Sequence, residues 1–268
     1  MKKYYTENNE MHEVSICHDD YCDSPRQDYC NIGKMNIWWN RYSLGDKKEG
    51  DPMQVMDTLF KDIPSEKILK YIRNSNTKNG LKVGYDATEK IYRLTTPSGV
   101  EEKESKRYLK EMLLDYLTLS EKMDILEACG YYFLMMGVYE HSGLSVYSFE
   151  RDTKSNPHPC RFDSGTAGFI YTTKKAVLDE KLSFLKGDKW ILANNKNWKE
   201  AANFVLSSEV EVYNMYLQGE VYGIVDRNLS TGEEESCWGF YSSKYGEELF
   251  NEISTEFLGE KDWRENVA

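Results

Sequence analysis

The stretch from Tyr131 to Thr173 holds the densest set of polar and potentially reactive side chains in the 268-residue chain. Glu140, His141 and Ser142 end one apolar run, and Cys160, Asp163 and Ser164 precede another. If the turn after the first run and the loop before the second meet at one sheet edge, an acid–base site is available. His141 would be the general base, Ser164 or Cys160 the nucleophile, and Asp163 the orienting carboxylate. That reading describes a small hydrolase or nucleotide-processing enzyme. The same residue types also make turns. Asp163-Ser164-Gly165 can bond nearby backbone N–H groups, and Glu140-His141-Ser142-Gly143 suits an ordinary hairpin end. His141 and Asp163 in one cleft would favour the enzyme, and opposite sheet faces would end it. The sequence has no Walker loop, G-x-G-x-x-G, H-E-x-x-H or G-x-S-x-G. No cofactor is expected.

Near the start, Cys17, His18, Cys22 and Cys30 offer three thiols and an imidazole, enough ligands for tetrahedral zinc. The spacing is not that of a standard finger, and adjacent Cys17 and His18 can hardly face one ion, so no metal site is expected. Cys237 sits in a Trp-flanked apolar run and reads as a buried, inert thiol. Six cysteines and the lysine-containing but not apolar opening MKKYYTENNEMHE read as reduced thiols without a secretory signal. The expectation is a soluble protein, with no membrane span.

These residues need strands and helices to position them. Tyr131–Tyr139 has the length and aromatic content of a buried strand, Ser142-Gly143 turns it, and Leu144–Phe149 returns as a hairpin. Gly168–Tyr171 reads as a third strand. Asp51-Pro52 begins a helix, Ser65-Glu66 another, and Ser105–Tyr116 and Ser120–Cys129 two more. A helix is predicted over Lys174–Leu185. A long one follows over Asn197–Leu217, with an inner stripe of Ala201, Phe204, Val205, Val212, Met215 and Tyr216. Glu220–Val225 and Cys237–Tyr241 pair around Ser230–Glu233, and an acidic helix closes the chain. Strands and helices mix without regular βαβ spacing. The fold class is α+β, a mostly antiparallel sheet with flanking helices. Two regions are expected: 1–104, with a variable insertion near 76–104, and 105–268, an α+β core with an acidic end.

Charge is distributed unevenly. The net charge is −11, and the segment from Glu200 onward carries 15 acidic against 4 basic residues. The first 199 residues carry 30 of each, so the whole imbalance lies in the last quarter. Such a field repels nucleic acid and attracts basic surfaces, including those that normally hold nucleic acid. A solvated face kept for solubility is the plainer reading. Glu233, Glu234, Glu235, Glu247, Glu248 and Glu252 are the candidate partner-binding residues.

The blocks SPRQDYCNIGKMNIWWNRYSLGD, YEHSG, DSGTAGFIY, EVEVYNMYLQGEVYG and CWGFY resemble a family of phage-encoded proteins of unassigned function. The likeness covers most of the chain outside 45–105. It departs at Phe162, where the family pattern has Trp, and at Glu220, where it has Asp. The resemblance implies a phage setting, and small acidic phage proteins imply counter-defence. The expectation is an inhibitor that binds a host antiviral complex in the host cytoplasm, such as a Gabija-type nuclease or a CRISPR effector. It would act by protein–protein contact rather than as an enzyme. Homo-oligomerisation stays open.

Overall fold

The computed structural model describes the chain except residues 29, 40, 47–49, 76–79, 142, 152–163 and 265–268. The chain opens with β1 (Lys2–Glu7) and β2 (Glu10–His18), joined through Asn8 and Asn9 at φ 51° and 66°. Two successive positive φ values give a turn whose twist matches a hairpin, and Asn tolerates them. A single helical turn, α1 (Pro25–Asp28), leads into a second hairpin, β3 (Lys34–Trp39) and β4 (Tyr42–Gly45).

Two helices follow, α2 (Pro52–Asp62) and α3 (Ser65–Asn74). The Asp51 side chain accepts from Gln54 N and the Gln54 side chain accepts from Asp51 N, which fixes where α2 starts. Then come β5 (Lys82–Asp86), β6 (Ile91–Thr95) and β7 (Glu101–Glu102), then α4 (Lys106–Tyr116) and α5 (Leu119–Ala128). Residues 82–102 form a three-stranded sheet whose Val83, Tyr92 and Leu94 join the core with Ile68, Leu69 and Leu109.

The central strands are β8 (Tyr131–Glu140), β9 (Leu144–Phe149) and β10 (Ser164–Thr173). The predicted helix over Lys174–Leu185 is cut short. Here α6 (Lys174–Asp179) ends early, and β11 (Ser183–Lys186) and β12 (Lys189–Leu192) turn at Gly187-Asp188. Lys181 at φ 50° breaks the helical path. The long helix α7 (Trp198–Gln218) is followed by β13 (Val221–Asn228), β14 (Glu234–Tyr241) and α8 (Gly246–Leu258).

The fold is α+β, and every strand pairing among the described residues is antiparallel. A five-stranded sheet in the order β4-β3-β10-β8-β9 is buried on both faces. Leu134, Met136, Val138 and Ile170 pack with Leu206, Val210 and Tyr213 of α7. On the other face Phe133 and Phe169 meet Phe60, Ile68 and Leu126. Each such buried side chain contributes roughly 1.5–3 kcal/mol. Gly168 lets β3 approach: a Cβ there would stand 1.9 Å from Asn36 O.

A four-stranded sheet, β1-β2-β13-β14, carries α8 on one face through Val14, Ile224, Phe250 and Ile253. Both large sheets therefore combine strands from before and after residue 104.

Candidate binding face and adjoining cleft

The six glutamates gather around β14 and the start of α8. Glu233 lies in the turn before β14, Glu234 and Glu235 on its exposed first half, and Glu247 and Glu248 in the first turn of α8. That last position also suits the helix dipole. Three of the six are paired inside the chain. Glu234 lies 3.4 Å from Arg227, Glu247 meets Lys3, and Glu252 meets Lys244 at 2.9 Å. Burial opposes the Glu252 charge, but hydrogen bonds from Ser242 and Lys244 outweigh it and hold that carboxyl below its ordinary range. Glu235 and Glu248 are exposed and form no ion pair among the described residues.

Two exposed aromatics belong to the same acidic segment. Trp238 is 50% exposed, lies over Gly223, and donates from Nε1 to Ser236 Oγ at 3.3 Å. Tyr245 is 69% exposed, and its hydroxyl donates to Glu220 at 2.7 Å. Among the described residues β14 is an edge strand, paired with β13 on one side only.

Beside the last residues of β14 lies a cleft of about 700 Å³. α7 supplies Phe204, Val205 and Val212, β14 supplies Gly239, Phe240 and Tyr241, and α8 supplies Ile253. This corrects the predicted inner stripe of α7. Of that stripe only Ala201 is fully buried, while Leu206, Val210 and Tyr213 face the sheet. Phe204, Val205 and Val212 look apolar enough for the core, yet they line the cleft. A helix with two apolar faces hides which one meets the sheet.

Three carboxylates also line the cleft: Glu209, Glu252 and Glu256. Glu209 is already neutralised. It accepts from Arg26 at 2.8 Å and from the backbone N–H groups of Ile32 at 2.9 Å and Gly33 at 3.1 Å. Arg26, its side chain 2% exposed, also holds Asp46 and donates to Gly33 O. The SPR, NIG and LGD blocks thus meet in one buried ion-pair network that ties α1, β4 and α7 together. Glu256 is exposed and makes no ion pair among the described residues.

No protein-family model, curated protein or solved structure matched the chain.

The alternative catalytic set is only partly described. Asp163, Cys160 and Ser142 lie outside the described residues. Ser164 is buried at the start of β10, opposite Tyr139, and His141 is exposed just past β8. Their register puts Ser164 and His141 at the same sheet end, near the turn. Glu140 is committed to structure: it accepts from Trp39 Nε1 at 2.9 Å and pairs with Arg41 at 3.1 Å. The Trp39 hydrogen bond leads in holding its carboxyl below the ordinary range.

Cys17 and His18 sit on adjacent, opposite-facing positions of β2, and His18 Nδ1 lies 3.3 Å from Gly219 O. Cys30 lines the cleft instead. Among the described residues no group of three His, Cys, Asp or Glu side chains could hold a metal ion. Cys237 is half-buried against the α8 core.

Sequence reading missed one buried polar cluster. Asp226, 6% exposed, accepts from the Tyr5 hydroxyl at 2.7 Å and lies 3.1 Å from His12 Nδ1. Tyr5 stacks on His12 at 4.7 Å and meets Trp263 edge-on. Burial and then the Asp226 hydrogen bond push the Tyr5 hydroxyl well above its ordinary range. The alternation of β2 was the available signal, since His12 shares a face with Val14 and Ile16. The arrangement resembles a base with its orienter, but the Tyr5 ring covers His12, and it serves to fasten residues near the C-terminus to the sheet.

Proposed function

We propose that this chain is a non-enzymatic binding protein that docks its acidic β14–α8 face on a basic surface of a partner protein. The observation that carries the reading is that the segment carrying Glu233–Glu235 and Glu247–Glu248 also exposes two large aromatics, Trp238 and Tyr245. Aromatic anchors contribute most of the affinity in such interfaces, and the surrounding charge sets on-rate and partner choice. A segment kept only for solubility needs carboxylates but no exposed indole.

The motif resemblance supplies the setting. A phage-encoded inhibitor that occupies the basic nucleic-acid channel of a host defence nuclease or CRISPR effector fits this face. The inhibitory role rests on that resemblance, and the docking rests on the geometry.

The test is capture of host proteins on the tagged chain at low and high salt, with masses identified. A stoichiometric nuclease or CRISPR subunit that is released by salt and by Trp238→Ala supports the reading. Capture indifferent to ionic strength removes its electrostatic part, and an empty capture from a defence-bearing host removes the inhibitor.

A further inference from the structure

We propose that a second cavity, between α2 and the five-stranded sheet, binds a small organic monocarboxylate with a short apolar body. It shares no lining residue with the cleft or with the acidic β14–α8 segment, and its assignment is independent of the docking reading.

The cavity, of about 320 Å³, lies between β3, β10 and α2. That volume is at the lower end of the roughly 300–1,000 Å³ typical of ligand sites, which suits a small molecule. Lys34 and Asn36 stand two apart on β3 and so share a sheet face. Tyr171 is the β10 partner of Lys34. Val55 and Leu59 of α2 supply an apolar wall.

Asn36 is the residue that asks for a ligand. It is only 8% exposed, yet its side-chain amide makes no hydrogen bond among the described residues. Buried amides are nearly always paired, because an unmet one gives up its hydration for nothing. Asn36 lines the cavity instead, where a bound molecule can meet it.

The unused hydrogen-bonding groups specify the class of molecule. Lys34 makes no ion pair and the Tyr171 hydroxyl no hydrogen bond among the described residues. Together with the Asn36 amide they offer three donors from one face of the sheet. The carboxylate on the wall, Asp46, is already committed: it accepts from Arg26 at 2.8 and 3.1 Å and from Met35 N at 2.9 Å. A ligand carboxylate therefore finds donors at Lys34, Asn36 and Tyr171, and its apolar body lies against Val55 and Leu59. A cation would be opposed by Lys34. A dianion such as phosphate would be opposed by Asp46, whose one cation, Arg26, also serves Glu209.

Titration of the isotopically labelled full chain with sodium benzoate, benzamide and inorganic phosphate tests this, read from the amide shifts of Asn36 and Tyr171. Benzoate should shift both saturably, with a dissociation constant of about 1 mM or tighter. Benzamide keeps the shape without the charge, and phosphate keeps charge without the apolar body. Each should bind about tenfold more weakly or worse. Asn36→Leu replaces an unpaired amide by an apolar side chain, so the melting temperature should not fall while benzoate affinity drops about tenfold. Lys34→Gln, at an exposed position, should cause a similar loss of affinity without unfolding. A benzoate shift that fails to saturate overturns the proposal, as does benzamide or phosphate binding equally well. An Asn36→Leu protein that melts early would show the amide to be committed to the fold, and affinity that survives both variants would put the ligand elsewhere. Either result also overturns it.

Discussion

Gly223 lies directly beneath the indole of Trp238, so close that a Cβ on residue 223 would stand 2.0 Å from Trp238 Cε3. The two residues face each other in the β13–β14 register, where that register shifts. Gly223→Ala must therefore lift the ring or displace the strand, at a cost of about 1–3 kcal/mol. In a Trp238→Ala background the same change should cost far less, because the clash has gone. Denaturant unfolding of the two single variants and the double variant measures this coupling. Simple additivity would show that the contact does not shape the edge strand.

Arg26 predicts a different kind of loss. It is buried between Asp46 and Glu209, and the guanidinium's hydrogen bonds to both carboxylates are charge-assisted. Arg26→Met leaves two carboxylates without their cation and should destabilise by roughly 3–5 kcal/mol. Arg26→Lys should recover little, because one ammonium cannot serve Asp46, Glu209 and Gly33 O with the same fork. Chemical unfolding checks both, and a near-wild-type Lys variant would contradict the geometry.

Alkaline unfolding should follow from two half-buried tyrosines. Burial is the leading cause that pushes the hydroxyls of Tyr132 and Tyr171 up to about 12. In the unfolded chain both ionise near the ordinary value of about 10. The folded state therefore keeps protons that the unfolded state loses. This contribution is fully present below about pH 10 and is lost as pH rises toward 12. Tyrosinate absorbance followed together with circular dichroism should show a late group of tyrosines ionising only as structure is lost. Ionisation of all tyrosines with the fold intact would refute it.

The acidic face should be separable from the fold. Glu235→Lys and Glu248→Lys together alter exposed side chains that form no internal ion pair among the described residues. The melting temperature should stay unchanged while partner capture weakens and loses its salt dependence. A variant that melts early would mean that these carboxylates hold the molecule together rather than addressing a partner.

Much of the architecture was legible because it is local. The apolar run of β8, the capping residues Asp51 and Ser105, and the turn at Ser230–Glu233 announce themselves within a few positions. β1 and β2 escaped notice because their outward residues are polar, although Asn8-Asn9 is a hairpin signal of its own. The first strand of the Ser183–Leu192 hairpin fell partly inside the helix predicted over Lys174–Leu185, because nothing before Lys181 marks the break.

The candidate face was half visible. Composition located the excess of carboxylates after Glu200, since charge needs no fold to be counted. It could not tell which of them meet Lys3, Arg227 or Lys244, because Lys3 is 244 residues away from Glu247.

The sequence by itself determined many of the elements, the α+β class and the acidic end, because propensity, capping and net charge depend on neighbours in the chain. Only the tertiary structure decided that β14 is an edge among the described residues, that Val205 and Val212 line a cleft instead of the core, and that Arg26 cancels Glu209. Each of those depends on which distant segments pack together, and packing partners are chosen by the whole chain.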